Sequence, residues 1–336
     1  VGAEQRKKIA LADRQRNALQ GLGTIGEGFA EVADLQRMRL RHTGHSQSAR
    51  AAAEDRSRRN DRECLILQSP PSSDGFSVLP TPELIDLCLQ DTRLLTPRVR
   101  HLTFVRRDGL PQTFIPGQFF RVQIPSMDGP QWRSYSIANP TAPGRSDNTT
   151  IELVVTHVDG GLGSTHLFGL RHGDSIHVTG PNGRFCLLPE DAPRRLFLLG
   201  TGTGVAPYRG MLPQLQRLAE SGVHVLLGLG ARSPHEQLYA DEFRAVAAQA
   251  AGFQLRHFHS RAMPAAPDAC DRAGRVLQLF DEFDALETGD IVYLCGHPDM
   301  VDAGFERAKA AGLHPRFIRR EKYQTILVPK PASSST

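Results

Sequence analysis

The chain has 336 residues, 40% of them hydrophobic and 23% charged, enough apolar material for two or three domains. Its net charge of +4 calls for no nucleic-acid partner. The five cysteines (Cys64, Cys88, Cys186, Cys270, Cys295) are scattered without metal-ligand or cluster spacing. That argues against a disulfide framework or an iron–sulfur centre in this chain, and for a reducing, cytoplasmic setting. No stretch is apolar for the ~18 residues of a membrane span, and the start lacks the apolar core and cleavage site of a secretory signal.

Residues 1–75 are rich in Arg, Ala, Gln and Ser, and Ser69-Pro70-Pro71-Ser72-Ser73 reads as a linker. Such a segment buries too little apolar area to offset its ordering entropy, so a disordered extension is expected. Glu27, Glu31, Asp34, Glu54 and Asp55 argue against an organelle transit peptide.

A second region, 76–192, shows short strands separated by turns. Strands are expected at 85–89, 99–105, 118–124, 133–138, 151–158 and 175–178. Turns are supplied by Asp108-Gly109, Asp128-Gly129, Asp159-Gly160, His172-Gly173-Asp174 and Asn182-Gly183. This spacing implies an all-β antiparallel barrel or sandwich.

The period changes at Leu196-Phe197-Leu198-Leu199, an apolar strand suited to a parallel sheet covered on both faces. A helix follows with Leu212, Leu215 and Leu218 on one side and Gly222 as its stop. Strands are then expected at 223–229, 253–258, 291–294 and near 317–318, with helices at 234–249, 274–283 and 298–311. The alternation predicts a doubly wound α/β domain over 193–324, with a low-complexity tail at 325–336.

Gly200-Thr201-Gly202-Thr203-Gly204 lies between apolar strand and helix, the context a dinucleotide pyrophosphate needs. Pro207 stands where a Rossmann fingerprint carries its third glycine, and a first helical turn tolerates it. An NAD site normally has an acid after its second strand. Here Arg232 follows that strand, Ser260-Arg261 ends the third, and Arg275 opens the next predicted helix. These cations at strand ends point to a 2′-phosphate and hence to NADP(H). The histidines form no metal constellation; His257 and His259 alternate on one strand with nothing nearby to complete a ligand set.

Residues 83–324 resemble the ferredoxin–NADP reductase family, of the bacterial FAD-containing type. The resemblance is carried in order by Pro116-Gly117-Gln118-Phe119, Arg133-Ser134-Tyr135-Ser136, Gly161-Leu162-Gly163-Ser164 and Gly180-Pro181-Asn182-Gly183-Arg184-Phe185, then by Gly202-Thr203-Gly204-Val205-Ala206-Pro207, Cys295-Gly296 and Glu321-Lys322-Tyr323. It implies that Arg133 pairs with the FAD pyrophosphate, Tyr135 packs on the isoalloxazine, and Ser136 hydrogen-bonds the flavin N5 region. Ser134 and Val154 join the FAD site, and the backbone and hydroxyls of Gly161, Gly163, Ser164 and Thr165 cap the pyrophosphate. On the NADP side it implies Thr203, Gly204, Pro207, Cys295 and Gly296, beside Arg232, Ser260, Arg261 and Arg275 as read above from the strand ends. The catalytic set it implies is Ser136, Cys295, Glu321 and Tyr323, with Tyr323 stacking on the flavin. In plant-type members that aromatic is terminal, whereas residues 324–336 follow Tyr323 here.

The expected activity is hydride exchange between NADP(H) and FAD, with single electrons passed to or from a ferredoxin or flavodoxin by a monomer. Arg121, Arg145, Arg316, Arg319, Arg320 and Lys322 are candidates to attract such an acidic carrier. The rival readings are a reductase component of an oxygenase and a flavin redox sensor without turnover.

Overall fold

The computed structural model describes residues 83–141 and 148–323. The expected extension (1–75), the tail beyond Tyr323 and Arg145 lie outside the described residues.

The first half is a six-stranded antiparallel sheet in the order β4-β3-β6-β1-β2-β5. Its strands are β1 (Ile85–Thr96), β2 (Val99–Arg106), β3 (Phe119–Ile124), β4 (Gln131–Ser136), β5 (Ile151–Thr156) and β6 (Ser175–Asn182). The edge strands meet: Ile137 bridges Leu153, and Ala138 N donates to Glu152 O at 2.9 Å. This closes the sheet into a barrel, which removes its exposed edges. Alternate residues fill the interior, among them Leu87, Leu89, Leu102, Phe104, Phe120, Val122 and Leu153, each 0% exposed. Strand β1 runs beyond the predicted 85–89. The polar residues after Leu89 stay in register with β2 across a shift between Leu89 and Asp91, so backbone pairing extends the strand where apolar alternation has stopped. A short helix, α1 (Leu162–Gly169), crosses between β5 and β6.

The second half is a six-stranded parallel sheet in the order β10-β9-β8-β7-β11-β12. It comprises β7 (Arg195–Thr201), β8 (His224–Ala231), β9 (Phe253–His259), β10 (Asp271–Ala273), β11 (Asp290–Gly296) and β12 (Ile318–Lys322). Helices α2 (Ala206–Glu220) and α3 (Ala240–Gln249) cover one face, with Leu196 and Leu198 of β7 buried against them. Helix α4 (Pro298–Ala310) and a 3₁₀ segment, Val276–Asp281, cover the other, where Phe197 and Leu199 point. Alternate residues of β7 serve opposite cores, which is why the strand reads as an unbroken apolar run.

Two predicted helices differ. The span 234–249 breaks at Tyr239, whose φ of 54° is left-handed, leaving a 3₁₀ turn (Pro234–Glu236) ahead of α3. The span 274–283 is not an α-helix. It holds instead the 3₁₀ segment Val276–Asp281, which comes after the short strand β10 and whose Val276 and Leu279 press onto Gly228 of β8. A Cβ on Gly228 would lie 3.1 Å from both side chains. The missing side chain lets that turn sit directly on the strand.

Candidate active site

A cleft of about 1510 Å³ runs between the barrel and the C-terminal ends of the parallel strands. Sites for drug-sized ligands occupy roughly 300–1,000 Å³, so this cleft suits a larger ligand set such as two dinucleotides. The barrel contributes Trp132 to Ser136 of β4, Val154, Thr156 and the start of α1; the sheet contributes Thr201 to Thr203, Arg232, Ser260, Arg261, Arg275, Gly296 and Glu321 to Tyr323.

On the barrel side, Arg133 and Tyr135 lie over the N-terminus of α1. A Cβ on Gly163 would come within 2.9 Å of both Arg133 Cγ and the Tyr135 hydroxyl, so only glycine admits this approach. Helix α1 begins at Gly161 with no side-chain cap, which leaves its first N–H groups for a ligand. A guanidinium beside an uncapped helix start fits a pyrophosphate. The Ser164 hydroxyl is already committed: it accepts from Val158 N at 3.1 Å and lies 3.1–3.2 Å from the Gly161 and Val158 carbonyls. It therefore shapes the loop, and the backbone is what α1 offers a phosphate. Thr165, the next residue of α1, is exposed. Burial pushes the Tyr135 phenol up to about 12, as for a ring packed in an apolar setting.

On the sheet side, the glycine loop follows β7 and enters α2 through a 3₁₀ turn, Gly202–Val205. Thr203 reaches the barrel, where Thr156 Oγ1 donates to Thr203 Oγ1 at 3.2 Å. Gly204 is buried where any Cβ would collide with the Cys295 carbonyl, so this glycine brings β11 against the loop. Pro207 is buried in the first turn of α2, where its missing N–H is not needed. Arg261 and Arg275 are exposed on the cleft with no side-chain partner among the described residues. Arg232 is not free: Glu236 holds it at 2.5 and 2.8 Å.

The two walls meet at the catalytic candidates. β11 and β12 pair Cys295 with Glu321, and Tyr323 N donates to Gly296 O at 2.9 Å. The Tyr323 hydroxyl donates to Ser136 Oγ at 2.6 Å, and Ser136 Oγ donates to Glu321 Oε2 at 3.4 Å. Tyr323 also packs against the apolar cluster that contains the buried Cys295. Burial raises Glu321 to about 7, and the Ser136 hydrogen bond partly opposes that rise. Burial likewise holds the Cys295 thiol well above its ordinary value, so Cys295 is a packing group, not a thiolate. The result is a hydrogen-bonded line from Tyr323 through Ser136 to an acid that titrates near neutrality.

Several cleft residues were not singled out in the sequence. Trp132 precedes Arg133 on β4, with the Arg121 guanidinium 5.3 Å over its ring. Thr156 and the β1–β2 turn at Thr96-Pro97-Arg98 also line the cleft. The Thr156 position shows only as one polar residue in an apolar strand, a weak signal. The expected basic docking face is also smaller than the sequence suggests. Arg319 turns inward onto Asp191 at 2.5–2.6 Å, and Lys322 pairs with Asp302 at 2.6 Å. Arg316 and Arg320 stay exposed, each over a phenylalanine ring. His259 bonds Asp271 at 2.8 Å, and no group of three metal-binding side chains occurs among the described residues. Among them, no helix is long and apolar enough to cross a membrane.

Residues 88–186 match the oxidoreductase FAD-binding domain family, and residues 198–304 match the oxidoreductase NAD-binding domain family. The chain is 34% identical over 239 residues to ferredoxin–NADP reductase B of Sorangium cellulosum, covering 69% of this chain and 94% of that protein. It is 33% identical over 217 residues to the toluate 1,2-dioxygenase electron transfer component of Pseudomonas putida, covering 62% of this chain and 59% of that protein. The crystal structure of the Amycolatopsis cytochrome P450 reductase GcoB superposes with a TM-score of 0.61 at 31% identity, covering 72% of this chain and 71% of that one. An FAD-binding barrel followed by an NAD-binding sheet is thus the architecture of this chain.

Proposed function

We propose that this chain, which belongs to the ferredoxin–NADP reductase family, exchanges a hydride between NADP(H) and FAD and passes single electrons to or from a separate ferredoxin or flavodoxin. The observation that carries the reading is the line Tyr323–Ser136–Glu321, which joins the two walls of the cleft by hydrogen bonds. FAD, when bound, supplies a two-electron acceptor that can release its electrons one at a time. The protein supplies position and charge. Arg133 and the α1 start hold the pyrophosphate of FAD, and Tyr135 packs against its ring. Ser136 presents a hydroxyl whose proton is shared with Glu321, so charge appearing beside it is met by a group ready to gain or lose a proton. Tyr323 covers Cys295 and must move for a nicotinamide ring to reach that place. Arg261 and Arg275, which have no side-chain partner among the described residues, favour a phosphorylated ribose.

The near-complete coverage of the Sorangium ferredoxin–NADP reductase, 94%, supports a ferredoxin as the carrier. The likeness to reductases of oxygenase systems favours a second reading, with an oxygenase's iron–sulfur or haem protein as acceptor. Steady-state NADPH oxidation coupled to purified host ferredoxins and flavodoxins tests the first reading, with ferricyanide as the control acceptor. Rapid turnover with ferricyanide but none with any ferredoxin or flavodoxin would reject it.

A further inference from the structure

Where an open α/β sheet binds a dinucleotide, an acid near the end of the second strand accepts hydrogen bonds from the adenosine ribose, and an arginine there takes up a 2′-phosphate. This chain carries both at that place. β8 ends at Ala231; Arg232 follows it and Glu236 closes the next 3₁₀ turn. The pair is bound three ways: Arg232 NH2 lies 2.5 Å from Glu236 Oε1, and Arg232 Nε and backbone N donate to Oε2 at 2.8 and 3.2 Å. Glu236 lines the same cleft as Arg232, Ser260, Arg261 and Arg275.

The charges therefore do not simply add. Arg232 is already neutralised, and Glu236 places a carboxylate beside the position where a dianionic 2′-phosphate would sit. The Arg232 guanidinium, and more weakly Arg261, hold that carboxyl below its usual range, so it stays ionised at neutral pH.

We propose that Glu236 is the specificity-determining residue of the adenosine end. It holds the preference for NADPH below what three arginines would give, and it offers NADH a ribose-diol acceptor, so the protein uses both dinucleotides. The inference rests on the cleft binding a nicotinamide dinucleotide. Binding NADPH requires Arg232 to be shared between Glu236 and the phosphate; binding NADH leaves the pair as it stands.

The test is Glu236→Gln, which keeps the shape and removes the charge. Two readouts are compared in FAD-loaded protein: the ratio of kcat/KM for NADPH to that for NADH, and inhibition constants for adenosine 2′,5′-bisphosphate and adenosine 5′-monophosphate. The expected result is a rise in the ratio, on the order of tenfold, carried by tighter binding of the bisphosphate and weaker binding of the monophosphate, whose ribose diol loses a charged acceptor. Glu236→Gln placed in an Arg232→Gln background must still tighten the bisphosphate, because the repelling charge acts without its partner. A ratio that stays level or falls, or a bisphosphate that binds more weakly in either background, overturns the proposal, since Glu236 would then serve only to orient Arg232. If the unsubstituted protein oxidises neither NADPH nor NADH and binds neither probe, the underlying reading of the cleft fails instead.

Discussion

Glu321→Gln is the perturbation whose effect can be worked furthest. The Glu321 carboxyl ordinarily ionises near 4.5 and is held at about 7 by burial. Between those values the folded protein keeps a proton that the unfolded chain has released. Stability therefore falls as pH rises through this window and levels off above about 7. Each tenfold change in acidity inside the window contributes about 1.4 kcal/mol, so the full effect is about 3 kcal/mol. Glutamine is neutral throughout and removes this component. Urea unfolding at fixed excess FAD, from about pH 4.5 to about pH 8, should show the variant gaining on the unsubstituted protein as pH rises, by up to about 3 kcal/mol. The same substitution should remove the inflection near neutrality in the rate of flavin reduction by NADPH. Parallel stability curves, together with an inflection that survives in the variant, would refute the assignment of that titration to Glu321.

Gly163→Val should eject Arg133 and Tyr135 from the start of α1, because even a Cβ there lies 2.9 Å from both. The variant should keep its circular dichroism and lose FAD affinity by tenfold or more, on the order of the one or two charge-assisted hydrogen bonds displaced, read by flavin fluorescence. Arg261→Ala should weaken NADPH by roughly tenfold while leaving NADH unchanged, the loss of one such bond to phosphate; equal losses for both would argue against a 2′-phosphate contact. Asp290 is buried at 0% side-chain exposure and accepts from Arg195 at 2.5 and 2.9 Å. Asp290→Ala should cost about 3–5 kcal/mol in denaturant melts, because the guanidinium is left buried without its partner.

The two-part architecture was legible wherever one residue pattern has one physical cause. The run Leu196 to Leu199 reads as a buried parallel strand because its alternate side chains enter two cores. The short spaced strands pointed to a barrel or a sandwich, but the closing contact was not legible, since the Ile137–Leu153 bridge is made through backbone groups that leave no side-chain pattern. The false helix at 274–283 arose because Val276, Leu279 and Phe280 carry helical spacing, while the glycines of β8 that admit a tighter turn lie in another element. At the site, Arg133, Tyr135, Ser136, Glu321 and Tyr323 were visible as motifs and do line one cleft. What the motifs hid was partnership. Arg232 looked like a free phosphate ligand, yet Glu236 occupies it; Arg319 looked like surface charge, yet Asp191 draws it inward. Charge counted along a chain says nothing of which opposite charge folds against it.

All of these roles require that barrel and sheet hold a flavin and a nicotinamide side by side. Anaerobic mixing of FAD-loaded protein with NADPH, followed by absorbance in the flavin band, tests it directly. The protein should be yellow and should bleach in a single binding-dependent phase, slowed by Ser136→Ala. A protein that takes up no flavin from excess FAD, or holds it and stays yellow with both NADPH and NADH, would contradict it.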